Sequence, residues 1–229
     1  MQDSVKQQIS AVIPVRAGST RVKNKNIRPF ADSSLLEIKI NQLKAIPSID
    51  KIIVSSDSDE MLDLAQRCGV VAKRRPIEYC DEKSRTFNDV VRYISANEVD
   101  TEIMMWVPCV CPMLGSEKIS KGIEMYIHQQ LGLLSGNGVC TARLIKEYLY
   151  GDNGPVNFSV EHHVKSQDLP NWHYITNGFF IAKTREMNEW GFVYGRNPLL
   201  FEVDKFEAID IDDEFDFQIA EFIYKKLYK

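Results

Sequence analysis

The chain has 229 residues, 44% of them hydrophobic and 26% charged, which suits one compact globular domain with ample core material and excludes a disordered chain. A formal net charge of -4 argues against a general nucleic-acid or membrane-surface binder, because such proteins carry an excess of Lys and Arg. No apolar run approaches the roughly 20 residues that span a bilayer, and the opening MQDSVKQQIS lacks the basic and apolar regions of a signal peptide, so a cytoplasmic protein is expected.

From the N-terminus, ISAVIPV reads as a strand, SLLEIKINQLKAI has apolar residues at helical spacing, and KIIVSSD is a second strand. SDEMLDLAQRCG predicts a helix opened by Ser58 as N-cap and closed by Gly69. VVAKRR is a short strand, TFNDVVRYISAN a helix, EIMMWVPC a buried strand and SEKISKGIEMYIHQQ a helix. Such alternation predicts a parallel sheet with helices on both faces, and ligands at the carboxyl edge of its strands.

After Leu131 the rhythm changes. GVCTARLI is a further strand, but KEYLYGDNGPVNFSVEHHVKSQDLPNW carries Gly, Pro, Asn and Asp at short intervals, which predicts a hairpin-rich lobe over 143–174 inserted in a single α/β domain of residues 1–229. YITNGFFIAK returns as a strand, and EFDFQIAEFIYKKLYK is a closing amphipathic helix. The lobe's aromatic and aliphatic residues (Tyr148, Leu149, Tyr150, Phe158, Val160, Trp172, Tyr174) lack the alternation that folds a hairpin onto a sheet. Apolar surface of that extent predicts a homodimer built through the lobe.

Five cysteines form no repeating frame, as expected of reduced thiols. Cys109 and Cys111 are two apart rather than three and have no second pair, so they read as small apolar residues at a strand end rather than zinc ligands. The adjacent His162 and His163 receive no chemical role.

The loop after the first strand, IPVRAGSTRVKNKN, is different. It concentrates Arg16, Arg21, Lys23, Lys25 and the nearby Arg28 around a Gly-Ser turn, although the chain as a whole is acidic. It matches neither the Walker A pattern nor G-x-G-x-x-G. Gly18 can take a positive φ and bring its backbone close to a ligand, Ser19 and Thr20 supply hydroxyls, Arg16 can pair two phosphate oxygens, and Lys25 adds a mobile charge. A phosphate site and a solvated basic loop both fit these residues.

Near the other end, Asp210 and Asp212 in AIDIDDEFD stand two apart at the entry to the last helix, so an extended backbone puts both carboxylates on one side, where they can share Mg²⁺. Asp213 and Glu214 are explained equally well as first-turn acids favoured by the helix dipole.

AVIPVRAGSTRVKNKNIRPF, IIVSSDSDEMLDLAQRCGV, KRRPIEYCDEKSRTFNDVV, TNGFFIAK and AIDIDDEFDFQIAEFI, taken in order, resemble the cytidylyltransferases that activate acidic sugars, the acylneuraminate cytidylyltransferase family. The resemblance implies a Rossmann-like three-layer nucleotidyltransferase fold with a mostly parallel sheet. It also implies transfer of CMP from CTP to a nonulosonic acid or other 2-keto sugar acid, with release of pyrophosphate, for surface glycan synthesis. By the same resemblance Arg16 and Lys25 hold the triphosphate with Gly18 and Ser19 beside them, Asn26 contacts the nucleotide, and Arg75 and Thr86 help to hold the cytidine. Asp210 and Asp212 bind the metal, and the lobe dimerises so that each sugar site is completed by the other chain.

The departures fall on the acceptor side. Pro108 stands where the family carries glutamine, and Ser166 and Ile175 stand where arginines are expected, with Lys165 as a candidate substitute. A phosphorylated or otherwise altered acceptor therefore remains open, as does a protein that holds CTP without turnover. The paired Asp210 and Asp212 speak against the last, because binding alone does not require a catalytic metal pair.

Overall fold

The structure is a computed structural model that describes residues 7–19 and 21–228. Thr20, one of the two loop hydroxyls, lies outside the described residues. Strand β1 (Ile9–Pro14) is followed by the two-residue strands β2 (Pro29–Phe30) and β3 (Ser33–Ser34), helix α1 (Leu35–Lys44) and β4 (Lys51–Ser56). Then come α2 (Asp59–Arg67), β5 (Val71–Arg74), α3 (Phe87–Asn97), β6 (Ile103–Trp106) and α4 (Ser116–Gln130). β7 (Val139–Ile145), the short β8 (Tyr150–Gly151) and β9 (Gly154–Pro155), β10 (Trp172–Lys183), α5 (Thr184–Trp190), β11 (Leu199–Glu202) and α6 (Glu214–Tyr228) complete the chain.

The local signals act where the sequence places them. Ser58 caps α2 by accepting from the Met61 N–H, and Gly69, at φ +70°, turns the chain out of it. Ser34 caps α1 by accepting from the Glu37 N–H. Thr86 and Asp89 form a reciprocal capping box at the start of α3.

Seven strands make one sheet in the order β11-β7-β10-β6-β1-β4-β5. β1 pairs in parallel with both β4 and β6, and β4 with β5. β10 departs from the predicted parallel sheet by running antiparallel to β6 and β7. No crossover helix separates β7 from β10, so the chain returns beside β7 in the opposite direction, as a hairpin does. Elements that were not expected are the β2–β3 ribbon, the two-turn α5, and β11, which pairs in parallel with β7 at the sheet edge.

The expected lobe of residues 143–174 hangs on an extension of this ladder. Arg143, Leu144 and Ile145 pair with Tyr174, His173 and Trp172, so the excursion beyond the ladder covers 146–171. Within it β8 and β9 form a small ribbon. Tyr148 packs edge-on against Phe158 and stacks on His163.

Two hydrophobic clusters cover the two faces of the sheet. One joins alternate residues of β1, β6 and β10 (Ala11, Ile13, Met105, Phe179, Ile181) to α1, α2, α4 and α6. The other joins the opposite alternation (Val12, Met104, Trp106, Phe180, Ala182) to α3 and α5 through Val91, Ile94 and Met187. No helix among the described residues is long and apolar enough to cross a membrane.

Candidate active site

After β1 the chain runs to one side to pair with β4, and after β5 it crosses back to β6 on the other side of β1. The crevice beyond the carboxyl ends of β1 and β6 is therefore the topological switch point, where open α/β sheets bind ligands. A cleft of about 680 Å³ opens there, lined by Arg16, Ser19, Lys25, Asn26, Arg75, Thr86, Asp210 and Asp212 among others. Of Arg16, Gly18, Ser19, Lys25, Asn26, Arg75, Thr86, Asp210 and Asp212, Gly18 alone is not part of its lining.

The basic loop enters this cleft as three cations rather than five. Val15 extends β1 by donating to the Ser55 carbonyl at 3.0 Å, and Arg16 follows it. One Arg16 nitrogen pairs with the Glu82 carboxylate at 2.6 Å, and the other donates to the carbonyls of Ala17 and Gly18. Gly18 has φ +70°, the left-handed conformation that this curl of backbone around the guanidinium requires. Arg21 donates to Asp212 at 3.0 Å, and Lys25 donates to the Ile211 carbonyl between the two aspartates. Arg28 is turned away: it grips Glu214 at the start of α6 with two nitrogens, at 2.6 and 2.8 Å, and lies over the Phe217 ring. Lys23 is exposed and outside the cleft lining.

Asp210 and Asp212 line the same cleft, and the segment between them is fixed by the Ile211 N–H donating to the Val110 carbonyl at 3.1 Å. Burial pushes the Asp210 carboxyl above the usual carboxylate range; the Asn177 amide, donating at 2.6 Å, opposes this, and the nearby Asp212 charge adds to it. Two like charges held together in this way make a place for a hard cation, and a magnesium site at a nucleotide typically uses one or two carboxylates with phosphate oxygens and water. Asp210 and Asp212 are donors of the kind that pattern uses, and among the described residues no cluster of three or more His, Cys, Asp or Glu side chains is placed to hold a metal ion. Asp213 instead accepts from the Asp216 N–H at the start of α6, and Glu214 is taken by Arg28, so these two acids serve the helix.

Three expected nucleotide contacts already hold internal partners. Arg75 is buried and donates to the Val15 carbonyl at 2.8 Å, to the Ser55 hydroxyl and to the Cys80 sulfur, which ties β1, β4 and the segment after β5 together. Asn26 accepts from the Cys109 thiol at 3.3 Å, and its carbonyl receives the Leu36 N–H. The Thr86 hydroxyl is engaged with Asp89 in the capping box. Cys109 is buried and its thiol pushed up to about 11 by burial, as suits a packed thiol rather than a metal ligand.

On the acceptor side Pro108 and Ile175 line the cleft, whereas Ser166 and Lys165 do not. Sequence reasoning did not single out Asn177, whose amide orients Asp210, or Glu82, which holds Arg16. The Asn177-Gly178 pair inside a strand was the available signal. A Cβ on Gly178 would sit 2.6 Å from a Leu114 methyl and 2.8 Å from the Thr141 hydroxyl, so only glycine lets β10 approach there. That close approach accompanies an irregularity in the β7–β10 register between Ile175 and Phe180, the stretch that carries Asn177.

Comparison with known proteins gives the family and the fold. The family model described as cytidylyltransferase matches residues 10–162. Pseudaminic acid cytidylyltransferase of Campylobacter jejuni (strain 81-176) is 24% identical over 221 residues, spanning 93% of this chain and 95% of that protein. N-acylneuraminate cytidylyltransferase of Escherichia coli O18:K1:H7 is 26% identical over 225 residues, spanning 97% of this chain and 53% of that longer protein. Among solved structures, a CMP:2-keto-3-deoxy-manno-octonic acid synthetase complexed with CTP superposes with a TM-score of 0.68 at 11% identity, covering 96% of this chain and 99% of that one. At that identity the match speaks for the fold.

Proposed function

Because the chain belongs to the cytidylyltransferase family, we propose that it transfers CMP from CTP to a nonulosonic acid or a related 2-keto sugar acid, for the synthesis of surface glycans in the cytoplasm. The observation that carries this reading is the meeting of Arg16, Arg21, Lys25, Asp210 and Asp212 in one cleft at the sheet's switch point. The reading is also supported by relatives whose names specify pseudaminic acid and N-acylneuraminate as acceptors.

In the reaction an acceptor hydroxyl oxygen bonds to the α-phosphorus, the bridging bond to the β-phosphate breaks, pyrophosphate departs and the hydroxyl proton is released. Displacement at phosphorus is promoted chiefly by positioning and by charge neutralisation. Arg16 holds the triphosphate once it gives up Glu82, and Lys25, anchored on the Ile211 carbonyl, sets its positive charge beside Asp210 and Asp212. Those two carboxylates would hold Mg²⁺, which would supply neutralisation of phosphate charge. Asn177 keeps Asp210 oriented toward the cleft, and Arg75 keeps the ends of β1 and β4 in register under the nucleotide.

Pyrophosphate release with each of the four nucleoside triphosphates, against a panel of sugar acids and sugar phosphates, tests the proposal. CTP-specific turnover with a sugar acid is expected, falling about a hundredfold or more in Arg16→Ala and Lys25→Ala. CTP binding with no turnover on any acceptor would instead identify a nucleotide-holding homologue. The homodimer through the lobe is part of the same proposal, supported by exposed Tyr148, Tyr150, Val160, Trp172 and Tyr174. Light scattering that returns a monomer at micromolar concentration would remove it.

A further inference from the structure

Between β6 and α4 the chain runs through residues 107–115 without helix or strand, yet most of this stretch is buried. Buried carbonyls that no helix or ladder serves must find donors elsewhere. The carbonyls of residues 110–114 all do so. Val110 accepts from the Ile211 N–H at 3.1 Å, Cys111 and Leu114 each accept from the Lys39 ammonium at 3.1 Å, Pro112 accepts from the Gln42 amide at 2.7 Å, and Met113 accepts from the Tyr228 hydroxyl at 3.2 Å. Lys39 is the donor that spans the turn, since it holds both Cys111 and Leu114.

Lys39 has no exposed surface and stands on the packed face of α1, at helical spacing from the buried Leu35, Leu36 and Leu43. Its hydrogen-bond partners among the described residues are these carbonyl oxygens and not a carboxylate. For packing alone this is a costly choice, because a buried ammonium gives up its hydration and an apolar side chain of similar length fills the same space. What the ammonium adds is several donors on one atom, which the turn uses.

The turn borders the reaction. Pro108 and Val110 line the cleft, and the Val110 carbonyl fixes Ile211, the residue between Asp210 and Asp212. Ile211 in turn offers its own carbonyl to Lys25. A continuous series of contacts therefore runs from Lys39 through the turn to Val110, and from Val110 to the backbone that spaces the two carboxylates. Gln42, on the same helix, holds Pro112 in the middle of the turn.

We propose that Lys39 is a positioning residue for the reaction: by clamping the carbonyls of Cys111 and Leu114 it fixes Val110, and through Val110 it sets Asp210 and Asp212 for a divalent cation. The proposal rests on the cytidylyltransferase reading for the role of the two aspartates.

The test uses Lys39→Met, which keeps the length and removes the ammonium, and Gln42→Leu, which releases Pro112 without touching a buried charge. Amide hydrogen exchange followed by NMR, without nucleotide or metal, reads the coupling directly. In Lys39→Met the Ile211 amide should exchange about tenfold faster or more. The Arg75 amide, which donates to the Ser56 carbonyl at 2.9 Å, should keep its rate. Mn²⁺ binding in the presence of CTP, read by electron paramagnetic resonance, should weaken about tenfold, while CTP binding without metal stays at the wild-type value. In steady state the Mg²⁺ concentration for half-maximal rate should rise and kcat fall, with the KM for CTP at saturating Mg²⁺ unchanged. A lysine that only stabilised the fold would lower the active fraction and leave the metal dependence alone. Gln42→Leu should move the same readouts in the same direction by a smaller factor, and it decides the matter if Lys39→Met does not fold. Ile211 exchange at the wild-type rate, an acceleration shared equally by Arg75, or Mn²⁺ binding that is unchanged in the variants would each overturn the assignment. A wild type that turns over no acceptor counts against the cytidylyltransferase reading alone, and exchange and Mn²⁺ binding then decide the role of Lys39.

Discussion

In the proposed reaction Arg16 holds the triphosphate, and its guanidinium is paired with Glu82, so replacing the glutamate charge should help the nucleotide to bind. The Arg16–Glu82 contact is 2.6 Å long, with the glutamate side chain 71% exposed and the arginine 27% exposed. A pair this open to water contributes about 0.4–1 kcal/mol. A ligand that must displace it loses that amount, and at 1.4 kcal/mol per tenfold the penalty is a factor of about two to five in affinity. Glutamine is the informative replacement, because it keeps the shape of the side chain at a position whose backbone sits at φ +59°, where glycine would also relax the chain. Initial rates of pyrophosphate release against CTP should show the KM of Glu82→Gln lowered about two- to fivefold at low salt, with kcat unchanged. The advantage should shrink as added salt screens the pair. An unchanged or raised KM at low salt would show that Glu82 does not compete for Arg16, and the displacement argument would fall.

Asp210→Asn and Asp212→Asn should each abolish turnover while circular dichroism stays native, and an unchanged Mg²⁺ dependence in either variant would return the pair to the helix-start role of Asp213. Lys39 is fully buried, donates to the carbonyls of Cys111 and Leu114 at 3.1 Å, and is lowered by that burial to about 8. Between that pH and the ordinary lysine value the unfolded chain holds a proton that the folded chain has lost, so wild-type stability relative to Lys39→Met should climb with pH through the window and level off above it. Urea titrations giving a flat difference would contradict this. Gly178→Ala should cost about 1–3 kcal/mol, because the added methyl meets Leu114 and Thr141 inside a filled core. An unchanged Tm would mean that β10 can shift there freely.

The layered α/β plan was legible because its signals are local. Ser58 capping, the apolar period of SEKISKGIEMYIHQQ and the buried run EIMMWV each declare an element without help from distant residues, and α4 spans Ser116–Gln130 as that period suggests. α5 is two turns long and lacks a side-chain cap, and β11 is four residues of LLFE with no alternation after a Gly-, Asn- and Pro-bearing turn, so neither carries such a signal. The direction of β10 is set by the absence of a crossover, which a strand's own composition does not encode. That Arg16, Lys25, Asp210 and Asp212 meet in one cleft was legible because charges gathered at a strand end and at the entry to a helix are conspicuous. Arg75 was conspicuous for the same reason, yet its guanidinium is committed largely to the backbone and side chains beneath the cleft. The contacts among Phe87, Trp106, Phe180, Phe192 and Tyr194 could not be read, since these are ordinary apolar members of separate segments until the fold brings them together.

The two faces of the sheet carry separate hydrophobic clusters, so the packing of one face can change while the other is held. Substitutions in separate regions with no shared partners combine almost additively, so the layer of α3 and α5 can be repacked while α1, α2, α4 and α6 keep their contacts. A lineage carrying this architecture can drift in one layer without unsettling the other, and a laboratory can follow the same route by randomising one layer and holding the other fixed.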